Sequence, residues 1–195
     1  MKTYLLILSI VLGLAFSAHA QERPNEAKQA QWEQFKANEG ENWNIRWKGE
    51  TGVPRVVSNG LTKAYTGSAE SIAQQFLNEY RQLFSLKNEL ADLNYVKTQT
   101  NQGVRHVTFS QHYKDLPVEG GEYKVHIRED GRVDMANGHY YQGIQLSISP
   151  SISGEQAINL AKIDLKLENP TEENSSAELI VYPLTDSTFI LLTQR

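Results

Sequence analysis

One apolar stripe of helical period, followed by runs of period two, constrains this chain more than any other feature. Ser68 is a good N-cap, and Glu70 falls in the first turn, where the helix dipole favours a carboxylate. Ile72, Ala73, Phe76, Leu77, Tyr80, Leu83 and Phe84 then recur at helical spacing, which predicts a helix over Ala69 to Phe84. A stripe this wide must be covered, and the chain downstream supplies a sheet. Val104 to Tyr113 alternates, with Val107, Phe109, Gln111 and Tyr113 on one face and His106, Thr108, Ser110 and His112 on the other. Tyr123, Val125 and Ile127 alternate with Lys124, His126 and Arg128. Asp130-Gly131 closes a hairpin to Val133 and Met135, and Asn137-Gly138 reads as a turn or bulge leading to Tyr140 and Tyr141. The fold class is α+β, a curved antiparallel sheet packed by one long helix.

The flanks carry weaker signals. Residues 21–42 are polar apart from Trp32 and Phe35, and read as a mobile leader docking through those aromatics on one helical turn. Trp43, Ile45 and Trp47 alternate as a half-buried strand. Val53 to Val57 pairs back on it, with Pro54 restricting that strand to an edge or an end. On the other side, Pro150 to Gly154 marks a boundary. Ser153 and Gln156 have capping-box spacing before a short helix containing Ala157, Ile158, Ala161 and Ile163. Leu179 to Tyr182 and Phe189 to Leu192 are strands. This second unit, residues 151–195, is a helix plus a hairpin with little core, and reads as incomplete.

The N-terminus reads as a secretory signal. Lys2 precedes an apolar run from Tyr4 to Phe16, and Ala18-His19-Ala20 is a cleavage site before Gln21. The run is shorter than the roughly 20 residues a spanning helix needs. Removing 20 residues from 195 leaves 175 and takes the net charge from −4 to −5, because Lys2 is lost. That acidity argues against nucleic acid as a partner. The chain has no cysteine, so an exported form must rely on its core alone.

Candidate chemistry is sparse. The histidines are His19, His106, His112, His126 and His139, and none begins an H-E-x-x-H zinc motif. His106 and His112 share a strand face with His126 next to them. Without an acidic ligand at suitable spacing they read as solvent-side residues, with a proton switch as the alternative use. There is no G-x-S-x-G elbow and no phosphate loop, so no catalytic or cofactor-binding residue is assigned. Gln111 is the one polar residue on an apolar strand face. A buried amide must be paired, so it reads as a structural device at a bend or at the Gly120-Gly121 crossing; contact with a partner enzyme is the other reading. Gly120 and Gly121 relieve crowding or supply positive φ.

These residues carry a resemblance. The strand ending in Gln111-His112-Tyr113, then Leu116-Pro117-Val118, Gly120-Gly121 and the Asp130-Gly131 hairpin, resembles the pro-region module of fungalysin- and thermolysin-like zinc metallopeptidases (FTP). The likeness covers roughly Trp43 to Ser147, giving a module over 43–148, and 151–195 resembles the start of a PepSY domain. It implies a cystatin-like layout in which Gln111, Tyr113, Pro117, Val118, Gly120, Gly121, Asp130 and Gly131 are motif residues with structural roles. It also implies a secreted, extracellular or periplasmic pro-region that helps fold and inhibits a zinc metallopeptidase domain, in cis or in trans. Zinc is expected only in that peptidase domain. A free-standing peptidase inhibitor or a cell-envelope interaction module is the alternative.

Overall fold

A computed structural model describes residues 25–164 and 176–194; the stretch read as a secretory signal, with the cleavage expected between Ala20 and Gln21, lies outside them. The first described element is α1, Glu26–Glu39, capped by Asn25, whose side-chain oxygen accepts from Lys28 N at 2.9 Å. β1 (Asn44–Lys48) and β2 (Val53–Ser58) form a hairpin, followed by α2 (Ala69–Glu79) and a single further turn, α3 (Arg81–Phe84). β3 (Leu93–Asn101), β4 (Val104–Tyr113), β5 (Leu116–Ile127) and β6 (Val133–His139) build the main sheet. An extended connector leads to α4 (Gly154–Asp164), then β7 (Glu178–Pro183) and β8 (Phe189–Gln194). The strand order is β1-β2-β6-β5-β4-β3, all antiparallel. β7 joins β5 in parallel at Val118–Val181 and carries β8.

The α+β reading holds. Ile72, Ala73, Phe76 and Leu77 of α2 and Leu83 and Phe84 of α3 are buried against Val107, Phe109, Tyr123, Val125 and Ile127 of the sheet. Each fully buried side chain of this size contributes about 1.5–3 kcal/mol. Ser68 caps α2 by accepting from Ser71 N at 3.1 Å, as its position predicts.

Four features depart from the sequence reading. The polar leader forms a fourteen-residue helix rather than a mobile arm with one turn. Phe35 is fully buried, edge-on to Trp43 and Tyr80 at 5.2 and 4.6 Å, and Trp32 stacks on it at 5.4 Å. Two aromatics three residues apart therefore anchor the helix, and Lys28 adds a hydrogen bond from its ammonium to the Leu83 carbonyl at 2.9 Å. The long helix breaks at Tyr80 (φ −104°, ψ 21°), whose hydroxyl donates to Glu39 at the end of α1. β3 had no clear signal because a bulge between Tyr95 and Lys97 interrupts its alternation. Asn137-Gly138 makes no turn: both residues continue β6, and Gly138 lies against the Glu122 carbonyl.

Candidate functional site

β5 is one strand shared by two sheets, and the candidate site lies where it changes partner. Its second half, Glu122 to Ile127, pairs with β6, whereas Val118 pairs with β7. Across the same point on β4, pairing jumps from Ser110–Glu122 to His112–Pro117. β4 advances by two residues while β5 advances by five, so β5 bulges at Gly120-Gly121. Gly120 supplies the left-handed backbone, with φ +67°. At Gly121 a Cβ would come within 2.9 Å of the Gln111 Cβ and 3.1 Å of the Val118 carbonyl oxygen.

Gln111 fills this crossing and is 1% exposed. Its Nε2 donates to the Tyr141 carbonyl at 2.7 Å, and its Oε1 accepts from Tyr141 N at 2.9 Å. The amide thereby replaces a strand where the connector leaves β6. Tyr113 repeats the device: its hydroxyl donates to the Leu146 carbonyl at 3.1 Å and accepts from Leu146 N at 3.2 Å. The hydrogen bond from the Leu146 backbone lowers its pKa from the usual tyrosine value. The bond expected of Gln111 thus goes to Tyr141, thirty residues downstream, rather than to the glycines beside it.

Lys48, at the end of β1, sits next to this crossing and is 8% exposed. Its Nζ lies 2.7 Å from Asp186 Oδ1, in the turn between β7 and β8, and 3.9 Å from the centre of the Tyr141 ring. Tyr141 also meets Phe189 edge-on at 6.0 Å. Lys48, Tyr141, Asp186 and Phe189 fix the β7–β8 hairpin to the main sheet. Nothing in the local sequence around Lys48 or Asp186 signals a contact between them, since their partners lie on different elements.

The motif residues therefore divide into two places. Gln111, Tyr113, Pro117, Val118, Gly120 and Gly121 gather at the crossing, with Val118 buried on β7. Asp130 and Gly131 lie at the far end of β5, in the turn to β6. There Asp130 Oδ1 accepts from Arg132 N at 3.1 Å, and Gly131 has φ +83°. Of the histidines, His106 and His126 are paired, His112 stands apart beside the Ser110 carbonyl, and His139 lies near Tyr141. Among the described residues no three metal-ligating side chains converge. The crossing presents amides, hydroxyls and backbone groups that hold one another, an arrangement suited to rigidity.

Comparison with known proteins matches this region. Bacillolysin from Bacillus cereus is 27% identical over 137 residues, covering 66% of this chain and 24% of the relative. The chain thus spans about a quarter of the length of that relative. The solved Bacillus megaterium YpeB C-terminal domain superposes with a TM-score of 0.40 at 20% identity, covering 77% of this chain and 63% of that one, a likeness too low to establish a common fold. The family model matches residues 91–140, from the turn before β3 to the end of β6, a narrower span than the sequence likeness suggested. The β4–β5 part of the crossing lies within the residues that match the Fungalysin/Thermolysin Propeptide Motif.

Proposed function

We infer that this chain is the pro-region of an exported thermolysin-like zinc metalloendopeptidase, assisting the folding of the peptidase domain and inhibiting it, with no hydrolytic role of its own. The observation that carries this reading is the propeptide motif over residues 91–140. The similarity to bacillolysin supports it. In this reading residues 1–20 are a signal removed between Ala20 and Gln21. Residues 43–148 are the propeptide unit, to which α1 is docked, and 151–195 belong to a PepSY-like unit. Zinc belongs to the peptidase partner. In this reading the protein is extracellular or periplasmic; no described helix is long and apolar enough to cross a membrane.

A pro-region that acts on its enzyme needs a preorganised surface, since ordering a surface on contact costs affinity. The crossing supplies that rigidity. β3 supplies a nine-residue edge strand, of the kind a partner can extend by strand addition. The test is refolding of denatured bacillolysin peptidase domain with and without an equimolar amount of chain 21–195. The chain should raise the recovered activity several-fold once it has been removed by dilution or digestion. Recovery no better than with an unrelated folded protein would refute the folding role.

A further inference from the structure

Two histidines on the polar face of the sheet are in direct contact. His106 on β4 and His126 on β5 are register partners, and their Nδ1 atoms are 2.8 Å apart with the rings perpendicular. At that distance one nitrogen must carry a proton and the other must not. Asn137 on β6 determines which. Its Oδ1 lies 2.7 Å from His126 Nε2, so that nitrogen is the N–H donor and His126 Nδ1 is the acceptor. His106 must then donate through Nδ1, which leaves His106 Nε2 as the free lone pair of the pair. His106 and His126 line an open groove of about 650 Å³ between the sheet and the end of α1.

We propose that His106, His126 and Asn137 form a proton-sensitive clasp between β4, β5 and β6, closed while the two rings share at most one extra proton and opened by a second. The first added proton binds His106 Nε2 and strengthens the N–H···N bond, because the donor becomes charged. A second proton has only His126 Nδ1 to occupy. It removes the acceptor and sets two N–H groups on two cationic rings face to face, so the rings must separate.

The surroundings set the balance for His126. Burial pushes it towards the neutral form, and His106 and Lys124 on β4 and β5 act in the same direction. Asn137 and Asp134 on β6 oppose them. Arg128 on β5 and Glu39 on α1 face the same groove, while β3 presents uncharged Gln99 opposite His106. The net direction for His126 is down from the ordinary imidazole value. A histidine harder to protonate folded than unfolded lowers stability as pH falls from about 6.5 towards its folded value.

The experiment is a pH titration of ¹⁵N-labelled chain 21–195 in EDTA, following the imidazole nitrogens by long-range ¹H–¹⁵N NMR from pH 8 to pH 4.5. The expected result is the Nδ1–H form for neutral His106 and the Nε2–H form for His126. His126 should titrate below the ordinary imidazole range, with backbone amides of residues 105–108 and 124–127 shifting as it does. Nε2–H forms on both rings, or titration of His126 without an amide response, would overturn the clasp. Melting temperature supplies a second measurement. His126→Gln should remove at least half of the stability lost between pH 7 and pH 5, whereas His139→Gln should remove less than that. An unchanged pH slope in His126→Gln would also overturn it.

Discussion

Replacing Gln111 by leucine tests the crossing most sharply, because the two side chains are similar in volume and only the hydrogen bonds are lost. Gln111 satisfies both backbone groups of Tyr141, at 2.7 and 2.9 Å, from a site that is 1% exposed. Each backbone group left unpaired costs about 1–3 kcal/mol, towards the low end here because Tyr141 is only partly buried. The two together amount to about 2–4 kcal/mol, offset by about 1 kcal/mol for the easier burial of leucine. We therefore expect Gln111→Leu to lower the unfolding free energy by about 2 kcal/mol, read from urea titrations with the m-value held common, equivalent to a fall of about 4–8 °C in melting temperature. Gln111→Glu separates hydrogen bonding from packing. Its ionised carboxylate would face the Tyr141 carbonyl in a buried site, so the variant should be strongly destabilised at pH 7. Relative to the parent at the same pH it should recover towards pH 4, where the protonated acid can donate as the amide does. A Gln111→Leu variant within about 0.5 kcal/mol of the parent would show that the crossing is held by packing alone and that the amide is dispensable.

Gly121→Ala should cost about 1–3 kcal/mol, because the new methyl group meets Gln111 and the Val118 carbonyl and the backbone there must shift; urea titration reads this. The Lys48–Asp186 pair should respond asymmetrically. Asp186→Asn strands a buried ammonium and should cost about 1–3 kcal/mol, whereas Lys48→Met leaves a carboxylate that is 41% exposed and should cost under about 1 kcal/mol. Thermal melts of both variants, and protease sensitivity of the β7–β8 hairpin, check the order. Phe35→Ala should cost about 3–5 kcal/mol, or release α1 as shown by loss of amide protection over residues 26–39, if the leader is part of the fold. Ser153→Ala should reduce helicity in α4 with little change in global stability. It removes a cap that accepts from Gln156 N at 3.2 Å, on a helix with no buried residue.

What was legible in the sequence was what neighbouring residues determine together. The stripe from Ile72 to Phe84, the alternation of β4 and β5 and the Asp130-Gly131 turn each contain their own period or turn chemistry, and all three appear where the pattern put them. The capping box at Ser153 and Gln156 closes in both directions, at 2.8 and 3.2 Å. What was not legible depends on partners distant in the chain. α1 exists as a docked helix because Phe35 finds Trp43 and Tyr80, and a polar stretch with two aromatics does not reveal that beforehand. Gln111 stood out as a buried polar residue, but its partner is backbone, and backbone groups carry no sequence identity. Lys48 and Asp186 are 138 positions apart and each obeys an ordinary local rule. β3 was obscured by one extra residue, Val96, which shifts the alternation by one.

Several apolar side chains described in the second unit are largely exposed. Leu160 and Ile163 on α4 are 56% and 75% exposed, and among the described residues of this unit Ile180 and Val181 of β7 are the buried ones. The hairpin is held by its attachment to β5 and by Lys48 more than by a core of its own.

The most direct measurement is inhibition of mature bacillolysin by folded chain 21–195, followed as the initial rate of peptide hydrolysis against increasing chain concentration, with complex formation read by size exclusion in parallel. The pro-region reading predicts a saturable fall in rate and a one-to-one complex that disappears as the chain is digested. Full activity at a hundredfold molar excess of intact chain, with no complex, would contradict it.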